Sequence, residues 1–193
     1  ISRAASPIRI DGILDEAAWQ QAAALAVDHE WFPSDGGPGP VKTTALLTYD
    51  DENLSIAFRA ADPQPALIRA RFADRDAPTD DDTVGFMIDP FHDGRRAFQF
   101  RINPLGVHMD AVNSDVEGTE DFSWDAIWES AARVTAEGYE VEVALPWWPA
   151  LSTLDRSRSP CARTRSRSTS SDASPVRRSE KSPKRSRDTA LIW

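Results

Sequence analysis

The sequence predicts an all-β protein, an antiparallel β-sandwich with one short N-terminal helix, and three observations carry that prediction. Between Asp82 and Asn113 three runs alternate apolar with polar residues: Val84, Phe86, Ile88; then Phe98, Phe100, Ile102; then Val107, Met109, Ala111. A second alternating pair, Thr43 to Tyr49 and Leu54 to Ala60, flanks Asp50-Asp51-Glu52-Asn53 and reads as a hairpin. Connections are short and turn-like throughout, with no helices between strands, which excludes a parallel sheet built on helical crossovers. A sheet carrying Phe86, Phe98 and Phe100 on one face must bury that face against a second layer, hence a sandwich.

Taken in order, Ile8-Arg9-Ile10 alternates like a short strand and ends at the turn pair Asp11-Gly12. LDEAAWQQAAAL follows as the helix, with Asp15 as N-cap or first-turn acid, Glu16 favourably near the positive end, and Leu14, Ala18, Trp19 and Ala22 inward. Val27 to Phe32 is a strand carrying Trp31, and PSDGGPGP after it is an exposed loop. Leu67 to Phe72 is expected to be a strand, and ADRDAPTDDD an acidic loop leading into the central meander. His92-Asp93-Gly94 and Asn103-Pro104-Leu105-Gly106 are the meander's turns, since Pro presets one backbone angle and Gly relieves the next. Val116 to Asp121 reads as a loop, and Trp128 to Thr135 with Tyr139 to Leu145 as the last hairpin, stopped by Pro146.

The 193 residues suffice for one substantial core, and no run approaches the roughly 20 apolar residues that cross a bilayer. The chain begins at Ile1 without an initiator Met, so a processed or trimmed chain is expected, with any export signal upstream. Cys161 is the single cysteine, which excludes an internal disulfide and a cysteine-based metal site. The net charge of −9 is unevenly spread: residues 1–151 hold 11 Lys+Arg against 27 Asp+Glu, and residues 152–193 hold 11 against 4. A body of charge −16 is a poor match for a phosphate backbone, so no nucleic-acid role is expected of the folded part.

Several stretches together resemble a known family: IDGILDEAAW, TYDDENLSIAFRAAD, DDDTVGFMIDPFHDGRRAFQFRINPLGVHMDA, FSWDAIWESAARV and GYEVEVALPW, in that order. They are similar to the family 9 carbohydrate-binding modules and their relatives, over roughly residues 8 to 148. The likeness is greatest to the subgroup at the N-terminus of bacterial surface proteins whose remainder resembles an outer-membrane barrel. The resemblance implies a jelly-roll-like sandwich that binds a glycan without catalysis, in association with glycan catabolism and glycosyl hydrolases. It also implies a periplasmic, cell-surface or secreted location, with the outer membrane reached only through a missing C-terminal region. A structural or docking role beside such a barrel is the alternative.

The chain thus divides into a sandwich over residues 1–151 and a tail over residues 152–193. Ser, Arg and Lys make up 22 of the tail's 42 residues, too little apolar material for a core. It is either an Arg/Ser interaction tail that binds nucleic acid or the product of a shifted reading frame, which would have replaced the family's closing strands.

A sugar site needs flat aromatic faces with carboxylates, amides or guanidinium groups at the rim. Trp31, Trp124 and Trp128 stand at loop edges beside polar residues and are the aromatic candidates; Arg101 and Asn103, at the meander's end, are the polar ones. Trp19, Trp147 and Trp148 read as structural. Among Asp74, Asp76, Asp80, Asp81 and Asp82, Asp80 and Asp82 are the candidate ligands for calcium, although the spacing is not that of a calcium loop. Haem ligation by His and Met, found in relatives of this sandwich, is not open to the adjacent pair His108 and Met109, whose side chains point to opposite faces of a strand; Met87, His92 or His29 would be needed. No Gly-x-Ser-x-Gly, His-Glu-x-x-His or phosphate loop is present, and no two carboxylates are marked as an acid and base pair, so the chain is expected not to be an enzyme.

Overall fold

The structure, a computed structural model, describes residues 1–30, 37–77, 80–147 and 189–192. Two sheets face each other. The first contains β1 (Ser2–Arg3), β2 (Ala23–Glu30), β3 (Gly37–Tyr49), β4 (Asn53–Ala61), β9 (Glu129–Thr135) and β10 (Gly138–Pro146), ordered β1-β3-β4-β10-β9 with β2 also paired to β3. The second is ordered β11-β5-β6-β7-β8, from β5 (Thr83–Ile88), β6 (Arg96–Ile102), β7 (His108–Ser114), β8 (Thr119–Asp121) and β11 (Thr189–Ile192). Apart from β1 on β3 and β11 on β5, which run parallel, every pairing is antiparallel.

The core lies between the sheets. Phe58, Ile56, Val141 and Val143 point inward from the first sheet and meet Val84, Phe86, Phe98, Phe100 and Ile102 of the second. Phe86 lies directly across from Phe100, and the two rings stack with centroids 4.8 Å apart. Each such buried side chain contributes on the order of 2 kcal/mol of apolar burial, which is what holds the layers together.

The meander and its turns form as the alternation predicts. Asp89 accepts from the backbone N–H of Phe91 (2.9 Å) and Gly94 (2.8 Å), tying the first turn. The second closes with Gly106 at φ +81°, a conformation that favours glycine. The third strand departs from expectation in its facing. Phe100 pairs with Asp110 and Ile102 with His108, so His108, Asp110 and Val112 face the core, while Met109 and Ala111 lie on the other side with Gln99 and Arg101.

Further differences follow from pairing. The helix α1 spans only Ala17–Gln20, with Glu16 rather than Asp15 at its N-cap, because the alanines beyond it pair with β3 from Ala23↔Leu47 onward. Of the expected inward residues, Ala18 and Trp19 are buried and Leu14 and Ala22 half-buried. Gly37–Pro40, expected as loop, begin β3; β4 joins only at Lys42, so the prolines sit where β3 is paired to β2 alone, an edge position that proline tolerates. Residues 33–36 of that expected loop lie outside the described residues.

Ile8–Ile10 is not a strand; the Arg9 N–H is taken instead by the Glu16 carboxylate at 3.2 Å. Leu67–Phe72 is not one either. Pro65–Leu67 form a 3-10 turn, and the N–H groups of Arg69 and Arg71 go to the carboxylates of Asp82 and Asp81, both at 2.9 Å. The loop expected over Val116 to Asp121 contains the short strand β8. At the far end of the chain, Thr189–Ile192 line up beside Thr83–Phe86, so the last strand comes from the stretch read as a tail.

The outer face of the first sheet is covered by the N-terminal segment, and one residue explains how. Glu142 points away from the core, opposite Ala57 and Ala131, yet is fully buried. Its Oε2 accepts from the N–H of Asp11 (2.9 Å) and Gly12 (2.8 Å), and its Oε1 from Trp19 Nε1 at 2.9 Å. Burial raises its pKa, against the lowering effect of these three donors. The stretch IDGILDEAAW is therefore a strap pinned to one carboxylate, with Trp19 as its structural anchor.

Candidate functional site

The outer face of the second sheet carries the polar assembly best placed to meet a ligand. Arg101 on β6 donates to Glu120 on β8 at 2.6 Å, with side chains 23% and 35% exposed. Because Arg101 lies opposite Met109 and Glu120 opposite Asn113, the ion pair passes over Ala111, the residue midway between them on β7. Ala111 is small enough to lie beneath it. The Gln99 carboxamide lies against the same groups: with its amide oxygen turned towards Arg101, the orientation that satisfies both ends, its nitrogen is 3.2 Å from Glu120 Oε1. A guanidinium and a carboxylate, with the buried Gln99 amide beside them, are thus oriented together on one sheet face, a pair that can donate to and accept from hydroxyls.

The other sequence-predicted residues are placed differently. Asn103 is 1% exposed and engaged at both ends of its amide: Nδ2 donates to Arg71 O (2.9 Å) and Asp81 (3.1 Å), and Oδ1 accepts from the N–H of Leu105 and Val107. It holds the turn and has nothing left for a ligand. Trp128 is 5% exposed, lies on His108 with centroids 4.1 Å apart, and meets Phe100 edge-on at 5.4 Å. Trp124 packs on Phe98 and Phe100 at 4.7 and 5.9 Å. Trp128 belongs to the core and the half-buried Trp124 packs against it, because the segment between β8 and β9 folds back over the end of the sandwich. Trp31 and Trp148 lie outside the described residues. Trp147, expected to be structural, is 37% exposed, with Nε1 donating to Asp50 O at 3.0 Å.

The calcium expectation for Asp80 and Asp82 meets a different geometry. Asp80 is exposed, whereas Asp82 is buried against the Arg69 backbone, which burial reflects in a raised pKa. Among the described residues, three acids that do converge are Asp76, Asp110 and Asp125, with carboxylate oxygens within 4.8 Å of one another. Their centre is served by Arg75, which donates to Asp110 at 2.7 Å and lies 3.4 and 3.7 Å from Asp76 and Asp125. Asp110 also takes the Ala126 N–H at 2.6 Å, and Arg75 donates to Ala126 O at 2.7 Å. A guanidinium stands where a cation would sit, so this cluster locks the segment bearing Trp124 and Trp128 to β7.

His108 borders the same cluster from inside the sandwich. Its Nε2 is 2.6 Å from Ser130 Oγ, linking β7 to β9 across the core, and burial together with the Arg75 charge lowers its pKa. Its inward placement beside Trp128, with Met109 on the opposite face, leaves no shared iron position for that pair. Arg101 was legible in the sequence as a polar residue on a strand ending at a turn. Gln99 and Glu120 were not, since only the register shows that they share its face.

Solved structures similar to this fold include two carbohydrate binding modules of family 9 from Caldicellulosiruptor kristjanssonii. One, in complex with cellotriose, is 17% identical, with a TM-score of 0.55 over 78% of this chain and 67% of that one. The other, in complex with glucose, is 16% identical, with a TM-score of 0.54 over 78% of this chain and 70% of that one. No curated protein sequence matches the chain. The model of the carbohydrate family 9 binding domain-like family matches residues 10–173, beyond the boundary at 151 that composition marks. With its two facing sheets, strapped N-terminus and match over most of its length, the chain belongs to the carbohydrate family 9 binding domain-like family.

Proposed function

We infer that this chain is a non-catalytic carbohydrate-binding module and that its glycan contacts the outer face of the second sheet at Arg101 and Glu120, beside which the Gln99 side chain is buried. The observation that carries the reading is the Arg101–Glu120 pair fixed across β7, in a member of a carbohydrate-binding family. A sugar hydroxyl can accept from the guanidinium while donating to the carboxylate, and neither group has to be reoriented first. The buried acids support binding over catalysis: Glu142, Asp110 and Asp81 are each held by N–H donors and serve the fold. No helix among the described residues is long and apolar enough to cross a membrane. A glycan-binding role supports a location in the periplasm, on the cell surface or in the secreted fraction.

Since the solved relatives carry cellotriose and glucose, β-linked glucans are the first ligands to test. Affinity gel electrophoresis of the full chain over a panel of soluble polysaccharides should show retardation by at least one of them. Arg101→Ala should weaken that retention about tenfold or more, the loss of a charge-assisted hydrogen bond. Retention by no polysaccharide, or equal retention of wild type and Arg101→Ala, overturns the proposal.

A further inference from the structure

We propose that the cleft beside Trp147, at the end of the first sheet, is a second and independent sugar subsite that takes neutral or amine-bearing rings and rejects acidic ones. Its ligand class rests on the carbohydrate-binding reading, but its residues are separate from Arg101 and its neighbours. The cleft has a volume of about 550 Å³, within the range that holds one or two sugar rings, and is lined by Asp51, Glu52, Asn53, Glu129, Pro146 and Trp147.

Trp147 is held in place by its polar groups. Its backbone N–H donates to Glu52 O at 2.8 Å and its indole Nε1 to Asp50 O at 3.0 Å. With the indole N–H already used, the carbon surface of a ring that is 37% exposed remains for the cleft. An aromatic surface of this kind stacks on the C–H face of a pyranose.

The hairpin tip that lines the cleft beside Trp147 is fixed as well. Asp50 Oδ1 accepts from the N–H groups of Glu52 (2.8 Å) and Asn53 (2.7 Å), which fixes the hairpin tip. Asp51 is paired with Arg3, whereas Glu52 and Glu129 have no ion-pair partner among the described residues. Free carboxylates accept hydrogen bonds from hydroxyl or ammonium groups, and their combined charge repels a uronate or a sulfated sugar.

The test uses the full chain labelled with 15N, with the Trp147 indole resonance assigned from a Trp147→Phe variant. Titration with cellotriose and with a glucosamine trimer should shift the Trp147 indole and the Asn53 amide for at least one of the two, and oligogalacturonate should shift neither. Glu52→Gln combined with Glu129→Gln, both surface changes that leave the fold intact, should weaken the response at least fivefold, whereas Arg101→Ala should leave it unchanged. If sugars move the Arg101 and Glu120 resonances but never those of Trp147 and Asn53, the second subsite is refuted and the first stands. Loss of the Trp147 response in Arg101→Ala, or a response to oligogalacturonate, also refutes it.

Discussion

Arg101 on β6 and Glu120 on β8 are joined at 2.6 Å although their strands are not neighbours; the bridge crosses β7 above Ala111. The strand between them must therefore carry a small residue at that one position. The requirement concerns the side chain alone, since the backbone beneath is an ordinary antiparallel ladder.

Ala111→Leu should separate the pair without unravelling the sheet. Overfilling a site that is 1% exposed is expected to cost about 1–3 kcal/mol of stability, read as a shifted urea midpoint. Glycan retention should fall as far as in Arg101→Ala. Retention at the wild-type level would show that the bridge does not organise the site.

Removing the Glu142 carboxylate should release the N-terminal strap. Glu142→Ala leaves the N–H groups of Asp11, Gly12 and Trp19 without their acceptor, and a loss of about 3 kcal/mol or more is expected in denaturant unfolding. Hydrogen exchange should quicken first over residues 8–22. Unchanged protection there would place the anchor elsewhere.

Arg75→Ala should expose what that guanidinium neutralises. Asp110 would remain buried without its partner beside Asp76 and Asp125, at a cost of about 3–5 kcal/mol. Millimolar calcium should then raise the melting temperature of the variant and not that of the wild type, since three carboxylates would be left facing one another. A calcium response in the wild type, or none in the variant, contradicts this account.

Acidification should weaken the sandwich through His108. Its folded pKa lies below the ordinary 6.5, because burial and Arg75 outweigh the opposing pull of Asp76. The unfolded chain consequently takes the proton first, so this contribution to stability is full above pH 6.5 and is lost as the pH falls towards the depressed value. The groups facing the ring are Arg75, Asp76, Asp110, Ser130 and Trp128. Glu142, raised by burial, acts with the opposite sign, its contribution being lost as the pH rises from the carboxylate range through its folded pKa. Stability measured from pH 7 to pH 5 should fall less steeply in His108→Gln than in the wild type; equal slopes would remove His108 from the explanation.

Gly138→Ala should disrupt the hairpin of β9 and β10. Gly138 has φ +143°, and a Cβ there would stand 1.9 Å from the carbonyl oxygen of Ala60. The backbone of β4 would have to shift, so a loss of about 4 kcal/mol or more is expected in thermal unfolding. A loss below about 1 kcal/mol would mean that the strands accommodate the methyl group.

The sequence alone determined the features that a few consecutive residues decide. Alternation marks β4, β5, β6 and β10, and the Asp, Asn and Gly of 50–53, 92–94 and 103–106 mark their turns, because both signals arise from local backbone geometry. What only the tertiary structure decided are the matters settled by partners distant in the chain. His108 and Asp110 look like the wet side of β7, but they face inward because Ser130 and Arg75 satisfy them there. The alanines after Trp19 favour helix, yet β3 takes them as a strand edge. Trp124 and Trp128 carry the composition of a sugar platform, yet the segment that Asp110 holds down through Ala126 packs Trp124 against the core and buries Trp128 in it. Asp81 and Asp82 resemble solvated loop acids, but they supply the acceptors that Arg69 and Arg71 lack for want of a neighbouring strand. For the histidine and the acids the side chain's own chemistry admits both surface and interior, and the choice falls to whichever place offers its polar atoms a partner. The two tryptophans are held instead by ring packing, neither indole Nε1 having a hydrogen-bond partner among the described residues.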